Sequence, residues 1–282
     1  VKRHRHDVGQ SISFNSIYIY RRDTRMGNGM SNFTDFIGGG GGSTLETVVL
    51  TTSQTWTPPA NGTARIHVIG GGGSGGSNAQ GYSGSAGGYC RKDVTLSTGT
   101  NWTIVVGAGG TPTNSNQGTQ AGGNSSATDG SSTLTANGAS AGTYTSSPGT
   151  ASGGNVNYTG GQGGNGNYFY GGGAVSVHSS GSGNAPMGEG ASSDAGVDGF
   201  EPLGLGQLIG GRGGNGGFVP ESGGFLSGGG QAYLNDNNSL VSGANGGIGA
   251  GGGGAWNGSA SWLRVGGSGG DGIVIIQYLT VS

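Results

Sequence analysis

The sequence predicts an all-β fold with almost no helix, much of it held together by backbone packed on backbone. Three observations lead there. Glycine supplies 73 of the 282 residues, hydrophobic residues only 30% and charged residues 9%, where an ordinary soluble domain is roughly half apolar and a quarter charged. Short segments alternate apolar and polar residues with the period of a strand. No segment longer than a few residues carries a helical period. Glycine in such numbers implies either flexible linkers or extended segments whose main chains touch. The second outcome must offset an ordering cost of about 0.5–1 kcal/mol per glycine relative to alanine, on the order of tens of kcal/mol in all, through dense main-chain hydrogen bonding.

Taken in order, residues 1–37 form an N-terminal segment, 38–46 a glycine hinge and 47–282 a glycine-rich β domain. The first segment holds the β-prone run Ser11–Tyr20 and a second apolar cluster at Phe33, Phe36 and Ile37. It is too short to bury a core of its own, so docking on a partner is the natural way to order it. Thr47–Thr52 is a β-branched strand, and Trp56 precedes the Pro58-Pro59 turn. Ala64–Ile69 alternates, with Ala64, Ile66 and Val68 on one face and Arg65 and His67 on the other, the solvent side. Tyr89–Leu96 and Asn101–Val106 read as a pair around the turn Ser97–Thr100, with Trp102, Ile104 and Val106 on one face. Ser131–Ala136 is a weaker strand, and Ile273–Tyr278 is the most apolar of all.

Between residues 138 and 272 the glycines fall in registers of three: Gly154, Gly160, Gly163, Gly166 and Gly172; then Gly211, Gly214, Gly217, Gly223 and Gly229; then Gly243, Gly246, Gly249 and Gly252. Three residues per turn is the period of the extended left-handed polyproline-II helix. A face without side chains lets neighbouring backbones approach closely enough for N–H···O and Cα–H···O contacts. The alternative is irregular loop.

Four segments in order, TWTPPANGTARIHVIGGGGSGG (55–76), GGYCRKDVTLSTGTNWTIVVGAGG (87–110), a Ser/Thr/Gly strand (130–137) and GGSGGDGIVIIQY (266–278), resemble the glycine-rich domain of bacteriophage tail-fibre and tail-tip proteins. The resemblance spans about 47–282. Residues 11–39 (SISFNSIYIY…SNFTDFIGG) resemble the short segments that open many phage appendage proteins, with Ile37 where an aromatic is usual. The resemblance implies a β-sandwich-like base carrying polyglycine-II-type segments, with loops that contact the host. It also implies a place in the virion, on a tail or other appendage, and assembly as a homotrimer. No heptad repeat supports the trimer. Partners would be other tail or baseplate proteins through the N-terminal segment, and a host surface polysaccharide or outer-membrane protein. A purely structural virion role, as head fibre, decoration or connector, is the alternative.

The remaining residues narrow the chemistry. Net charge is −2, and six of the eleven Lys and Arg residues lie in the first 25, so general nucleic-acid binding is not expected. There is one cysteine, Cys90, no run of 18 apolar residues, and no apolar stretch of signal-peptide type behind the basic N-terminus, so neither disulfides, membrane insertion nor routing by a signal peptide is expected. The histidines His4, His6, His67 and His178 show no metal-ligand spacing, and Asp194, Asp198 and Glu201 read as a solvated loop. No catalytic residue and no cofactor is assigned, and the protein is expected not to be an enzyme. Aromatic rings between glycine runs, including Tyr144, Tyr158 and Phe225, suit either contact with a ligand or capping of the glycine bundle. Tyr168, Phe169, Tyr170, Tyr233, Trp256 and Trp262 are the candidate receptor-binding residues. Three consecutive rings at 168–170 cannot all face inward from an extended segment. Ile12, Phe14, Ile17, Tyr18, Arg21, Arg22, Phe33 and Phe36 are the candidate virion-attachment residues.

Overall fold

The computed structural model describes residues 13–14, 17–22, 43–78, 82–112, 120–143, 146–163, 243, 245–256 and 265–281. Among them there is no helix. Fourteen strands occur: β1 (Ser13–Phe14), β2 (Ile17–Arg22), β3 (Ser43–Leu50), β4 (Gln54–Trp56), β5 (Gly62–Ile69), β6 (Ser77–Asn78), β7 (Tyr89–Leu96), β8 (Trp102–Val105), β9 (Ser125–Thr128), β10 (Thr133–Ala136), β11 (Ala151–Ser152), β12 (Val156–Tyr158), β13 (Ala255–Trp256) and β14 (Ile273–Val281). A seven-stranded sheet runs β1-β2-β3-β14-β5-β7-β12, a five-stranded sheet runs β11-β10-β9-β8-β4, and β13 pairs with β6.

The two large sheets are antiparallel and stack face to face. β14, the apolar strand foreseen in the sequence, lies inside the larger sheet between β3 and β5. Its even-numbered residues Val274, Ile276 and Tyr278 join Val48 and Leu50 of β3 and Ala64, Ile66 and Val68 of β5 in the inter-sheet core. Trp56, Trp102, Ile104, Ala127 and Leu134 fill it from the smaller sheet. The Trp56 and Tyr278 rings meet across it, tilted by 50° with centroids 6.0 Å apart. Cys90 is enclosed in this core, and burial pushes its thiol up to about 12.

The other face of the larger sheet is buried too, which corrects the expectation for His67. Val49, Ile69, Tyr89, Tyr158, Ile273 and Ile275 form a second cluster there, with Ile248 packed against it. His67 is fully enclosed: its Nδ1 lies 2.8 Å from the Tyr89 hydroxyl and its Nε2 lies 3.3 Å from Gln277 Oε1. The Gln277 oxygen can only accept, so Nε2 carries the proton and Nδ1 accepts from Tyr89. Arg65, 8% exposed, holds Asp93 through two bonds of 2.7 and 3.1 Å. The alternation along β5 was read correctly. Its second face met protein rather than water because the residues that enclose it lie far away in the sequence.

Three further readings change. Tyr89–Leu96 and Asn101–Val106 do not pair with each other. Thr100 N–H does close a turn on Ser97 O at 3.0 Å, but β7 pairs with β5 and β12 while β8 pairs with β4 and β9. The turn carries the chain from one sheet to the other, and Leu96, Trp102 and Ile104 enter the same core. β3 begins at Ser43, inside the expected hinge, because its length follows its partner, from Val274↔Leu50 to Val281↔Ser43. Ile17–Arg22 of the N-terminal segment is a strand of this same sheet, paired with β3.

Candidate functional site

From the ends of β5, β8, β10 and β12 the chain continues into glycine segments joined mainly by single main-chain hydrogen bonds to several neighbours rather than by strand ladders. Gly70–Gly76 is their axis. Successive N–H groups point to three neighbours in rotation. Gly70, Gly73 and Gly76 donate to Gly88, Ser85 and Tyr82. Gly71 and Ser74 donate to Gly123 and Gln120. Gly72 and Gly75 donate to Gly270 and Gly267. All these bonds are 2.7–3.0 Å long. The carbonyls rotate likewise: Gly71 and Ser74 accept from Ala139 and Gly142, Gly72 from Gly110, and Gly73 and Gly76 from Gly252 and Ala255. One extended segment is therefore bonded to six others, as a three-residue period requires. Gly84–Gly88 repeats the rotation, donating in turn to Gly252, Ser140, Gly161, Gly249 and Asn137.

Close approach explains the composition. A Cβ added on this axis would fall under 3.0 Å from a carbonyl oxygen of one of three neighbouring segments: 137–143 at Gly70 and Gly73, 107–112 at Gly71, and 250–256 at Gly72 and Gly75. A segment surrounded on all sides admits no side chain in any direction. The exception, Ser74, is buried and turns its hydroxyl to Gln120, donating to the carbonyl at 3.1 Å and accepting from the N–H at 2.9 Å. A segment at the rim needs glycine only where it faces inward: a Cβ at Gly160 or Gly163 would meet the Ala86 or Ser83 carbonyl, while Gln162 between them is exposed. Among the described glycines, positive φ occurs at Gly130, Gly153 and Gly249. Where a carbonyl does not meet an N–H, side-chain oxygens do. Ser125 Oγ accepts from Gly107, Asp271 Oδ1 from Gly109, Asn124 Oδ1 from Gly138 and Ser83 Oγ from Gly254, at 2.7–3.0 Å.

The three-residue periods read from the sequence are thus real at Gly160, Gly163, Gly243, Gly246 and Gly252, each of which faces a neighbouring backbone. Gly249 is an exception: with φ 68 it sits in a turn closed by Ala250 N–H on Gly247 O. The stretch expected to be one segment is two, running inward to this turn and outward again. The lattice is also wider than 138–272, since its axis and several neighbours come from residues 70–76, 83–88, 107–110 and 120–123. The unbroken run Gly70–Gly73 was the signal for the axis.

Register places five of the breaks between lattice segments at one end, while the turn at Gly247–Ala250 lies at the other. Segments 70–78, 107–112, 137–143, 159–163 and 250–256 lead away from the sandwich, and 82–88, 120–124, 146–150, 243–249 and 265–272 lead back toward it. The described residues that flank 79–81, 113–119, 144–145, 164–242 and 257–264 therefore all lie toward the side of the lattice remote from the sheets. The five-fold convergence makes that end the candidate functional surface.

The family model for the glycine-rich domain matches residues 47–279. The chain belongs to the glycine-rich domain family. No curated protein matches the chain.

Within this glycine-rich domain, Trp256 ends β13, in register with Asn78 of β6, and so stands at the remote end of the lattice. Tyr168, Phe169, Tyr170, Tyr233 and Trp262 lie outside the described residues, as do Ile12, Phe33 and Phe36. Phe14 is in β1, and Ile17, Tyr18, Arg21 and Arg22 are in β2. Tyr158, read as a loop aromatic, is a core residue, stacked on Tyr89 with planes 9° apart; the short strand VNY that holds it gave no sequence signal. Burial favours the neutral forms of His67 and Tyr89. Burial, followed by the charges of Arg91 and Arg65, lowers His67 to about 3, and burial raises the Tyr89 phenol. Among the described residues no group of three or more His, Cys, Asp or Glu could hold a metal ion. What the arrangement offers is a rigid end face from which chain excursions of very different length depart.

Proposed function

We propose that this protein is a structural component of a bacteriophage particle, a tail-fibre or tail-tip protein that displays host-contacting segments on the remote end of its glycine lattice. The observation that carries the reading is the convergence of all five connections on that end. A platform bonded through its main chain keeps its shape whatever the connections contain, so their sequences are free to vary with the receptor. Such division between a rigid scaffold and functional loops is common in binding proteins. Tyr168, Phe169, Tyr170 and Tyr233 belong to the longest connection and Trp262 to another, and rings with polar edges suit a sugar face or the loops of an outer-membrane protein. The order of four sequence segments supplies the viral setting. Modest affinity per site would be multiplied by several copies on one particle.

Purified protein added to host cells before the phage is expected to lower adsorption in proportion to dose, and the triple variant Tyr168→Ala, Phe169→Ala, Tyr170→Ala to lose most of that effect while keeping its fold. Undiminished adsorption at saturating wild-type protein would overturn the reading in favour of a virion role without receptor contact.

A further inference from the structure

β2 covers the outer side of β3 on a long tether, with β1 beyond it at the edge of the sheet. It pairs with β3 from Ile17↔Leu50 to Arg22↔Leu45, so β3 has β14 on one side and β2 on the other. Antiparallel neighbours are ordinarily joined by two to five residues. Here residues 23–42 intervene, twenty residues (42 − 23 + 1) ending in Gly38–Gly42. A chain of that length has an average span of about 25 Å if flexible and reaches about 70 Å at full stretch. Without β2 the eight residues of β3 would be a sheet edge carrying Val48, Val49 and Leu50, which are 2%, 5% and 0% exposed. A long apolar edge of that kind is a template for another strand.

We propose that the outer side of β3 is a strand-acceptor site and that residues 17–22 of a second copy of this chain occupy it by exchange. The pairing specifies this occupant. Its Ile and Tyr residues alternate opposite Val48, Val49 and Leu50, and Arg21 is the register partner of the oppositely charged Glu46. A strand from a second copy makes the same pairs, so exchange alters no contact and its extent is set by proximity. The tether holds a chain's own strand at an effective concentration in the millimolar range; exchange therefore grows as copies are crowded, as they are when several sit on one particle. The inference does not depend on the virion reading.

The test uses the full chain with single cysteines at register partners and buried Cys90 left in place. Arg22→Cys and Leu45→Cys proteins are co-produced in one cell, concentrated and mildly oxidised, and the heterodimer is quantified on a non-reducing gel. Arg22→Cys co-produced with Ser152→Cys, on the other sheet, gives the collisional background. The Arg22→Cys/Leu45→Cys double variant reports whether the register forms. The expected result is heterodimer several-fold above background, rising with protein concentration, and closure of the double variant. Heterodimer no greater than background with the double variant closed internally would show that β2 serves only its own chain. A double variant that fails to close would remove the pairing itself. Either outcome overturns the proposal.

Discussion

At Gly72 an added Cβ would meet the Ala250 carbonyl, and at Gly62 it would meet nothing within 4 Å. Two chemically identical substitutions should therefore act in opposite directions. Gly72→Ala forces two main chains apart and is expected to destabilise the protein by about 3 kcal/mol, the upper part of the range for overpacking. Gly62→Ala, in extended backbone, removes only unfolded-state freedom and should stabilise by about 0.4–1 kcal/mol. Urea midpoints at constant m-value distinguish them. His67 gives a pH signature. It is neutral when folded down to about 3 but takes a proton near 6.5 when unfolded. Between those values the unfolded state binds the extra proton, so stability rises with pH there, by at most about 1.4 kcal/mol per unit. Denaturation at pH 7, 5.5 and 4.5 should show this loss on acidification, and His67→Gln should flatten it. At this scale face is legible in the sequence and burial is not: Ile66 and His67 alternate visibly, yet the enclosure of His67 depends on partners more than 20 and 200 residues away.

Among elements, strands rich in β-branched residues were legible and the small polar ones were not. β14 and β5 carry their own pattern, whereas Ser125–Thr128, Ala151–Ser152 and Val156–Tyr158 become strands through their neighbours. Pairing partners were less legible still. The turn Ser97–Thr100 has local hairpin chemistry, and only the shared core shows that it joins two sheets. Where strand passes into lattice, single side chains bridge the two bonding patterns. Ser125 Oγ accepts from the buried Gly107 N–H at 2.9 Å. Ser125→Ala leaves that donor without a partner and is expected to destabilise by about 1–3 kcal/mol, with exchange of the Gly107 amide accelerated more than that of amides in β14. Asp129 is a local counterpart in the β9–β10 turn. Slight burial works against its ionised form, but bonds from Ser132 and Ser131 outweigh it and hold the carboxyl below its usual range. That turn should therefore stay closed below the pH at which an ordinary aspartate takes up its proton.

For the whole molecule, glycine density reports depth in the lattice. Unbroken glycine marks the segment bonded on all sides, and glycine at every third position marks the rim. That rule is half visible in the sequence: the three-residue registers after residue 138 are legible, but the axis at Gly70–Gly76 is not, because lateral order depends on which segments the sandwich brings together. The candidate surface was legible as aromatic excursions between glycine runs. Their convergence on one end was not, since it follows from strand direction.

Main-chain bonds of the glycine segments supply here the cohesion that side chains supply elsewhere. Residue-resolved amide hydrogen exchange on the native protein tests it most directly. The account predicts that the Gly71, Gly72, Gly73 and Gly75 amides are protected to the same order as those of Val274–Ile276 in β14. Exchange of these glycine amides at the rate of an unstructured chain, with β14 protected, would contradict it.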